Sequence, residues 1–187
     1  YKRQEMSRVS LKNYIAGDYD PGPGWKRLIW MVFSRVLFET SIPWPVELKV
    51  LILRAFGGGI GDGVVIKPHV KIKYPWFLEI GDDSWIGEHS WIDNLVPVTI
   101  GESVVISQGA YLCTGNHDYK DPGFTLRVGV IRVEDGAWIA AKSTVCPGVV
   151  VADSAILSMG SVASSNLEAN SIYRGNPAIK VRQRFSD

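Results

Sequence analysis

From Ile60 onward an aliphatic side chain returns at every sixth residue, first as Ile60, Ile66 and Ile72, then as Ile80, Ile86 and Ile92. The series continues with Ile100, Ile106 and Leu112, resumes as Val133, Ile139 and Val145, and closes with Val151, Leu157 and Ala163. A period of six is neither the 3.6 of a helix nor the two of a single strand. It fits one short strand plus a corner, with three such sides closing a triangular coil. A lone coil cannot bury its apolar side chains, so coils must stack and share one core. The fifth position of most hexads is small or β-branched (Val64, Val70, Ser84, Ser90, Val104, Ala110, Ala137, Ser143, Val149, Ala155, Ser161), as a narrow interior requires. Glycine often follows the aliphatic residue, at 61, 81, 87 and 101, and positive φ at these corners is the expectation. A β-sandwich would instead alternate with period two in strands spaced 8 to 12 residues apart. The sequence therefore predicts an all-β solenoid, a parallel β-helix of about five coils over residues 60–168. A helical segment, 1–56, precedes it and a tail, 169–187, follows.

The 187 residues make one domain the simplest organisation. Twenty basic residues against nineteen acidic leave a net charge of +1, too little to hold a nucleic-acid backbone without sequence preference, so no nucleic acid is expected as partner. The two cysteines, Cys113 and Cys146, have no metal-ligand spacing and suit a reducing compartment. Tyr1 stands where an initiator methionine would, which suggests a trimmed chain, and no secretory signal pattern follows it. The apolar runs Leu28–Phe38 and Val50–Phe56 are shorter than the roughly 20 residues that cross a bilayer and contain Arg35 and Arg54. A cytoplasmic, soluble protein is expected.

Within the first segment, Trp25–Phe38 and Trp44–Phe56 carry helical patterns, separated by Ile42-Pro43-Trp44-Pro45. Lys26 and Arg27 share a face with Ser34 and Arg35, and Glu47 shares one with Arg54, leaving the remaining circumference apolar. Such helices either pack on the following domain or make peripheral contact with a membrane surface.

Two small excesses fall near Pro75-Trp76 and Val96-Pro97, while a large one lies between Leu112 and Val133 and predicts an inserted loop at 113–132. Long loops on rigid scaffolds are where function concentrates. His117 sits at the root of this loop, and an imidazole, with an ordinary pKa of about 6.5, can take a proton from a hydroxyl at neutral pH. Spacing alone also allows a structural histidine that caps carbonyls. His69 and His89 lie one coil apart at the fourth hexad position and should stack on the outer wall; Gly109 takes that place one coil later, so no third ligand is in register for a metal. Cys113 fits a strand corner better than a nucleophile.

Several stretches together resemble the hexapeptide-repeat acyltransferases, and among them the colanic acid biosynthesis acetyltransferase type. They are Ile72-Lys73-Tyr74-Pro75-Trp76, Trp91-Ile92-Asp93-Asn94, Ile106 through Tyr119 with its Gly115-Asn116-His117-Asp118, Gly136 through Ala141, and Gly175-Asn176-Pro177-Ala178. The resemblance implies a left-handed β-helix, a homotrimer with its active sites in grooves between subunits, and acetyl-CoA as co-substrate without a metal. By analogy with the maltose and galactoside acetyltransferases it makes His117 the general base for a saccharide hydroxyl that attacks the thioester directly, with exopolysaccharide biosynthesis as the setting. Asp118 or Asp93 would orient the imidazole, and Asp93 with Asn94 would contact the acceptor. Trp138, Ala140, Ala141, Met159, Gly160, Ser161, Lys180 and Arg182 would bind acetyl-CoA.

One departure from that pattern is Ser164-Ser165-Asn166, where relatives often carry Thr-Lys-Asp; Lys142, Lys180 or Arg182 would have to meet the CoA phosphates instead. A carbonic-anhydrase-like hydratase, with zinc held by histidines across an interface, and a non-catalytic trimeric scaffold are the competing expectations.

Overall fold

The computed structural model describes residues 8–185. Residues 1–7 of the expected helical segment and 186–187 of the expected tail lie outside them. The chain winds into a left-handed parallel β-helix whose three faces are three sheets. The first face stacks Gly59–Ile60, Leu78–Ile80, Val98–Ile100, Ile131–Val133 and Val150–Val151. The third stacks Lys71–Ile72, Trp91–Asp93, Tyr111–Cys113, Thr144–Val145 and Val162–Ala163. The second runs from Val65–Ile66 through Trp85–Ile86, Val105–Ile106, Trp138–Ile139 and Ile156–Leu157, and goes further than the hexad count. Ser171–Gly175 adds a parallel strand to it, and Ala178–Gln183 folds back antiparallel to close that edge. Leu167 bridges Val151 on the first face. The stack thus enters a sixth turn, and most of the segment expected as a tail is sheet.

In-register pairing puts like residues in columns: Ile60 beside Ile80, Ile66 beside Ile86, Ile72 beside Ile92. Every hexad aliphatic is buried, and so is every fifth-position residue. Three of the four serines among the latter donate to corner carbonyls: Ser84 Oγ to Gly101 O at 2.7 Å, Ser90 Oγ to Gly87 O at 2.7 Å, and Ser143 Oγ to Ala140 O. The corners themselves correct one expectation. Positive φ falls on the fourth position, as at His69 (58°), His89 (59°), Lys142 (57°) and Gly160 (68°), whereas Gly61, Gly81, Gly87 and Gly101 do not have it. Those glycines answer a different constraint, the approach of the next coil. A Cβ on Gly81 would lie 2.6 Å from the carbonyl carbon of Gly101, closer than packing permits.

The N-terminal segment seals the open first coil. Helix α1 (Gly24–Phe33) runs into a π turn over Ser34–Phe38, closed by Glu39 N–H donating to Ser34 O at 2.9 Å, and α2 spans Val46–Ala55. In each later coil the aliphatic carbonyl accepts an N–H from the coil before it, as Ile80 O does from Gly61 N. Coil one has no predecessor, and three side chains stand in for it. Arg54 Nε donates to Ile60 O at 2.8 Å, Lys49 Nζ to Ile66 O at 3.1 Å, and Trp30 Nε1 to Ile72 O at 3.0 Å. One donor thus serves each face. Lys49 is almost fully buried, so the circumference of α2 expected to be wholly apolar contains a lysine.

Candidate active site

The large insertion is a β-hairpin standing off the third face. Gly115–His117 pairs antiparallel with Leu126–Val128, His117 opposite Leu126. Its root is Thr114, fully buried, whose hydroxyl donates to Asp93 O at 2.7 Å and accepts Leu95 N–H at 2.8 Å. The tip is organised by two aspartates. Asp121 accepts Gly123 N–H at 3.0 Å, Thr125 N–H at 3.2 Å and the Thr125 hydroxyl. Asp118 accepts Lys120 N–H at 3.0 Å and pairs with Arg127. These contacts hold both carboxyls below the usual carboxylate range, through the Thr125 hydroxyl first for Asp121 and the Lys120 amide first for Asp118.

The turn around Asp121 puts Phe124 at φ 52°, and in that conformation its carbonyl meets His117 Nδ1 at 2.9 Å. The two rings also stack, centroids 4.3 Å apart and 9° from parallel, and Tyr14 approaches the imidazole at 5.9 Å. A carbonyl can only accept, so Nδ1 carries the proton and Nε2 presents its lone pair. Among the described residues Nε2 has no hydrogen-bond partner. A depression of about 330 Å³, lined by Asn116, His117, Asp118, Tyr119, Lys120 and Arg127, opens at this point.

The expected orienting carboxylates are therefore engaged elsewhere. Asp118 holds Arg127, and Asp93, one coil earlier on the third face, pairs with Lys73 at 3.1 Å and accepts the Tyr111 hydroxyl at 3.2 Å. Burial, with Cys113 and Asp93 adjacent, pushes the Tyr111 phenol up. Asn94 is fully buried: its amide oxygen accepts Lys73 and Tyr74 N–H at 3.1 Å each, and its NH₂ donates to Tyr74 O at 2.6 Å. All its polar capacity on this side builds the corner before Pro75, which corrects its expected contact with an acceptor. Phe124, Asp121, Arg127 and Tyr14 are the site residues that sequence reasoning passed over.

Six of the eight residues expected to bind acetyl-CoA lie on coils four and five, at the corner between the second and third faces. Trp138 is half-exposed and its Nε1 donates to Ser107 Oγ at 2.8 Å. Ala140 is buried; Ala141 O accepts Gly160 N–H at 3.0 Å, so backbone groups of neighbouring coils meet here. Met159 is 71% exposed, and nothing lies within 4 Å of a Cβ built on Gly160. Ser161 departs from expectation: its side chain points inward and its hydroxyl accepts Gly175 N–H at 3.0 Å. Lys180 pairs with Glu168 at 2.6 Å on the antiparallel strand, where Arg182 is exposed. The fold thus sets the His117 hairpin on coil three and this corner one and two levels further on. His69 and His89 stack as expected, at 4.5 Å and 5°. Among the described residues no three His, Cys, Asp or Glu side chains gather into a metal-holding group.

This solenoid is the architecture of the hexapeptide-repeat acetyltransferases. It superposes on one from Vibrio cholerae, solved with acetyl coenzyme A, at TM-score 0.81 and 18% identity, covering 95% of this chain and 100% of that one. It superposes on galactoside acetyltransferase in complex with coenzyme A at TM-score 0.80 and 22% identity, covering 90% and 85%. These likenesses show the fold. No protein-family model matches the chain. In sequence, it is 36% identical over 181 residues, 97% of each chain, to the Escherichia coli protein provisionally named colanic acid biosynthesis acetyltransferase WcaF. It is 24% identical over 150 residues to the Escherichia coli galactoside O-acetyltransferase, 78% of this chain and 73% of that one. The chain belongs to the acetyltransferase family that includes WcaF, and it is an acetyltransferase.

Proposed function

We propose that the protein transfers acetyl from acetyl-CoA to a hydroxyl of a saccharide precursor in the cytoplasm, in exopolysaccharide biosynthesis, as a homotrimer with its sites between subunits. The observation that carries this reading is His117: Nδ1 is tethered to the Phe124 carbonyl, and Nε2 is left free beside an open depression. In the reaction Nε2 takes the hydroxyl proton as the oxygen attacks the thioester carbonyl carbon. The C–S bond then breaks, and the imidazolium returns its proton to the CoA thiolate. The Phe124 carbonyl holds the ring throughout and accepts a stronger hydrogen bond while the ring is charged. A base so placed contributes roughly 10²- to 10⁴-fold, and alignment of two substrates in a groove contributes much of the rest. The backbone groups at Ala141 and Gly160 suit the pantetheine amides, and exposed Met159 and Trp138 suit its apolar parts. Of the cations expected to meet the phosphates, Lys142 and Arg182 are exposed. The names of WcaF and of the galactoside O-acetyltransferase support a saccharide acceptor.

The test is calorimetric titration of acetyl-CoA into the wild type and His117→Ala, followed by CoA-release assays with a panel of sugars and sedimentation of both proteins. Binding by both, with transfer falling roughly 10²- to 10⁴-fold in the variant and a trimer in each, is the expected result. Absence of acetyl-CoA binding in both would end this reading.

A further inference from the structure

Helix α1 and its π turn bury one face and leave the opposite one bare. Trp30, Ser34, Leu37 and Phe38 face the first coil and are buried. On the other side Trp25 is 67% exposed, Leu28 60%, Val32 55% and Val36 51%, with Ile29 and Met31 also exposed. At about 100° per residue, Leu28, Val32, Trp25, Val36 and Ile29 fall in one arc roughly 100° wide. Because the helix lies against coil one, where Trp30 reaches the Ile72 carbonyl, that arc points away from the stack. Exposed large side chains scattered singly need no explanation, whereas a contiguous stripe on one helix marks a contact surface.

The charges decide what kind of contact. Between Gly24 and Phe38 the exposed polar side chains are Arg27 and Arg35, and no acidic residue lies in that stretch. Arg35 is 73% exposed and reaches Glu39, beyond the turn, only at 3.7 Å. Two copies of this face set against each other would bring like charges together. Arg35 falls at the edge of that arc, about 20° from Leu28, whereas Arg27 falls on the side of Ser34 and Phe38. An anionic surface with an apolar layer beneath it satisfies both features, Arg35 at the headgroups and the Trp, Leu, Ile and Val side chains below it. No helix of the described residues is long and apolar enough to cross a membrane, so the helix would lie in the plane of the interface. We propose that the exposed face of α1 docks this protein on the surface of a bilayer containing anionic lipid.

The proposal is independent of the acetyl-transfer reading, and flotation of the full chain on vesicles tests it. The probes are phosphatidylcholine vesicles with and without phosphatidylglycerol. The wild type floats with the anionic vesicles. The double variant Leu28→Glu with Val32→Glu partitions at least about tenfold more weakly, and Arg35→Gln costs about fivefold. All three positions are exposed, so the variants keep the wild-type circular dichroism and acetyl-CoA titration. Failure of the wild type to float on anionic vesicles overturns the proposal, as does equal flotation on both compositions. Self-association at rising concentration, abolished by the double variant while vesicles are ignored, would assign the face to a second copy instead.

Discussion

A single backbone carbonyl decides how His117 presents itself. With Nδ1 donating to Phe124 O, the imidazole needs no carboxylate to fix its tautomer, and the aspartates nearby serve the loop. Asp121 is the residue on which the arrangement depends, because its three accepted hydrogen bonds create the turn that puts Phe124 at positive φ. Asp121→Ala should lower kcat by about tenfold or more, since small misplacements of a catalytic group are costly, while the affinity for acetyl-CoA stays within error. Asp121→Asn should recover much of the rate, because its amide oxygen still accepts Gly123 N–H. Equal losses in both variants, or a loss confined to thermal stability, would remove Asp121 from this positioning role. The pH dependence carries a definite sign. The folded pKa of Asp121 lies below the unfolded one, so its contribution to loop order is complete above the ordinary value of about 3.9. It fades as pH falls through the lowered value. Much of this was hidden in the sequence for a physical reason: Asp121-Pro122-Gly123 is a readable turn, but every residue has a carbonyl, and nothing in the side chains says which one will meet Nδ1.

At the level of elements, a solenoid must terminate, and its first coil exposes a row of acceptors that an edge strand of another molecule could pair. Here the termination is chemical as well as steric, with Arg54, Lys49 and Trp30 each supplying one donor to one face. Lys49→Met keeps similar bulk but leaves the Ile66 and Lys67 carbonyls without this partner. A cost of about 1–3 kcal/mol is expected for acceptors left unsatisfied, read by denaturant unfolding near neutral pH. Burial first, and the nearby Lys67 second, lower the Lys49 pKa. Its unfolded state therefore binds more protons between the folded value and the ordinary one of about 10.4, and wild-type stability gains through that window as pH rises. The gap between wild type and Lys49→Met should accordingly widen from neutral pH toward pH ~10; a constant or narrowing gap would show that the ammonium is not under desolvation strain. The hexad made the stack legible because a six-residue return has one economical solution. The cap was not legible, since a lysine within an amphipathic pattern reads as solvent-facing until its acceptors are seen. The corner glycines show the same limit: sequence marks a glycine without distinguishing backbone freedom from the approach of a neighbouring coil.

For the whole molecule, the design separates a stable column from the machinery attached to it. Each coil contacts mainly its neighbours, so stability is close to a sum of coil and interface contributions, and an insertion at a corner need not weaken the column. The hairpin leaves and re-enters at a closed point, where Gly129 N–H donates to Thr114 O at 2.9 Å. Replacing residues 115–128 with a two-residue Asn-Gly turn, a sequence that favours tight reversal, should leave coils three and four paired as before. The buried column residues Leu112 and Val145 remain in register across the cut. The shortened protein is expected to keep the far-ultraviolet circular dichroism of the solenoid and to unfold within a few degrees, about 5 °C, of the wild type. It should lose acetyl transfer as completely as His117→Ala, and its acetyl-CoA affinity should remain, because Trp138, Ala141 and Gly160 belong to the column. Loss of the cooperative unfolding transition would mean that the hairpin, together with the N-terminal arm that bonds it through Ser10 N–H to Pro122 O at 2.8 Å, is part of the structure's stability and not an appendage to it. Retained fold with retained transfer would separate the chemistry from the hairpin and require a different base.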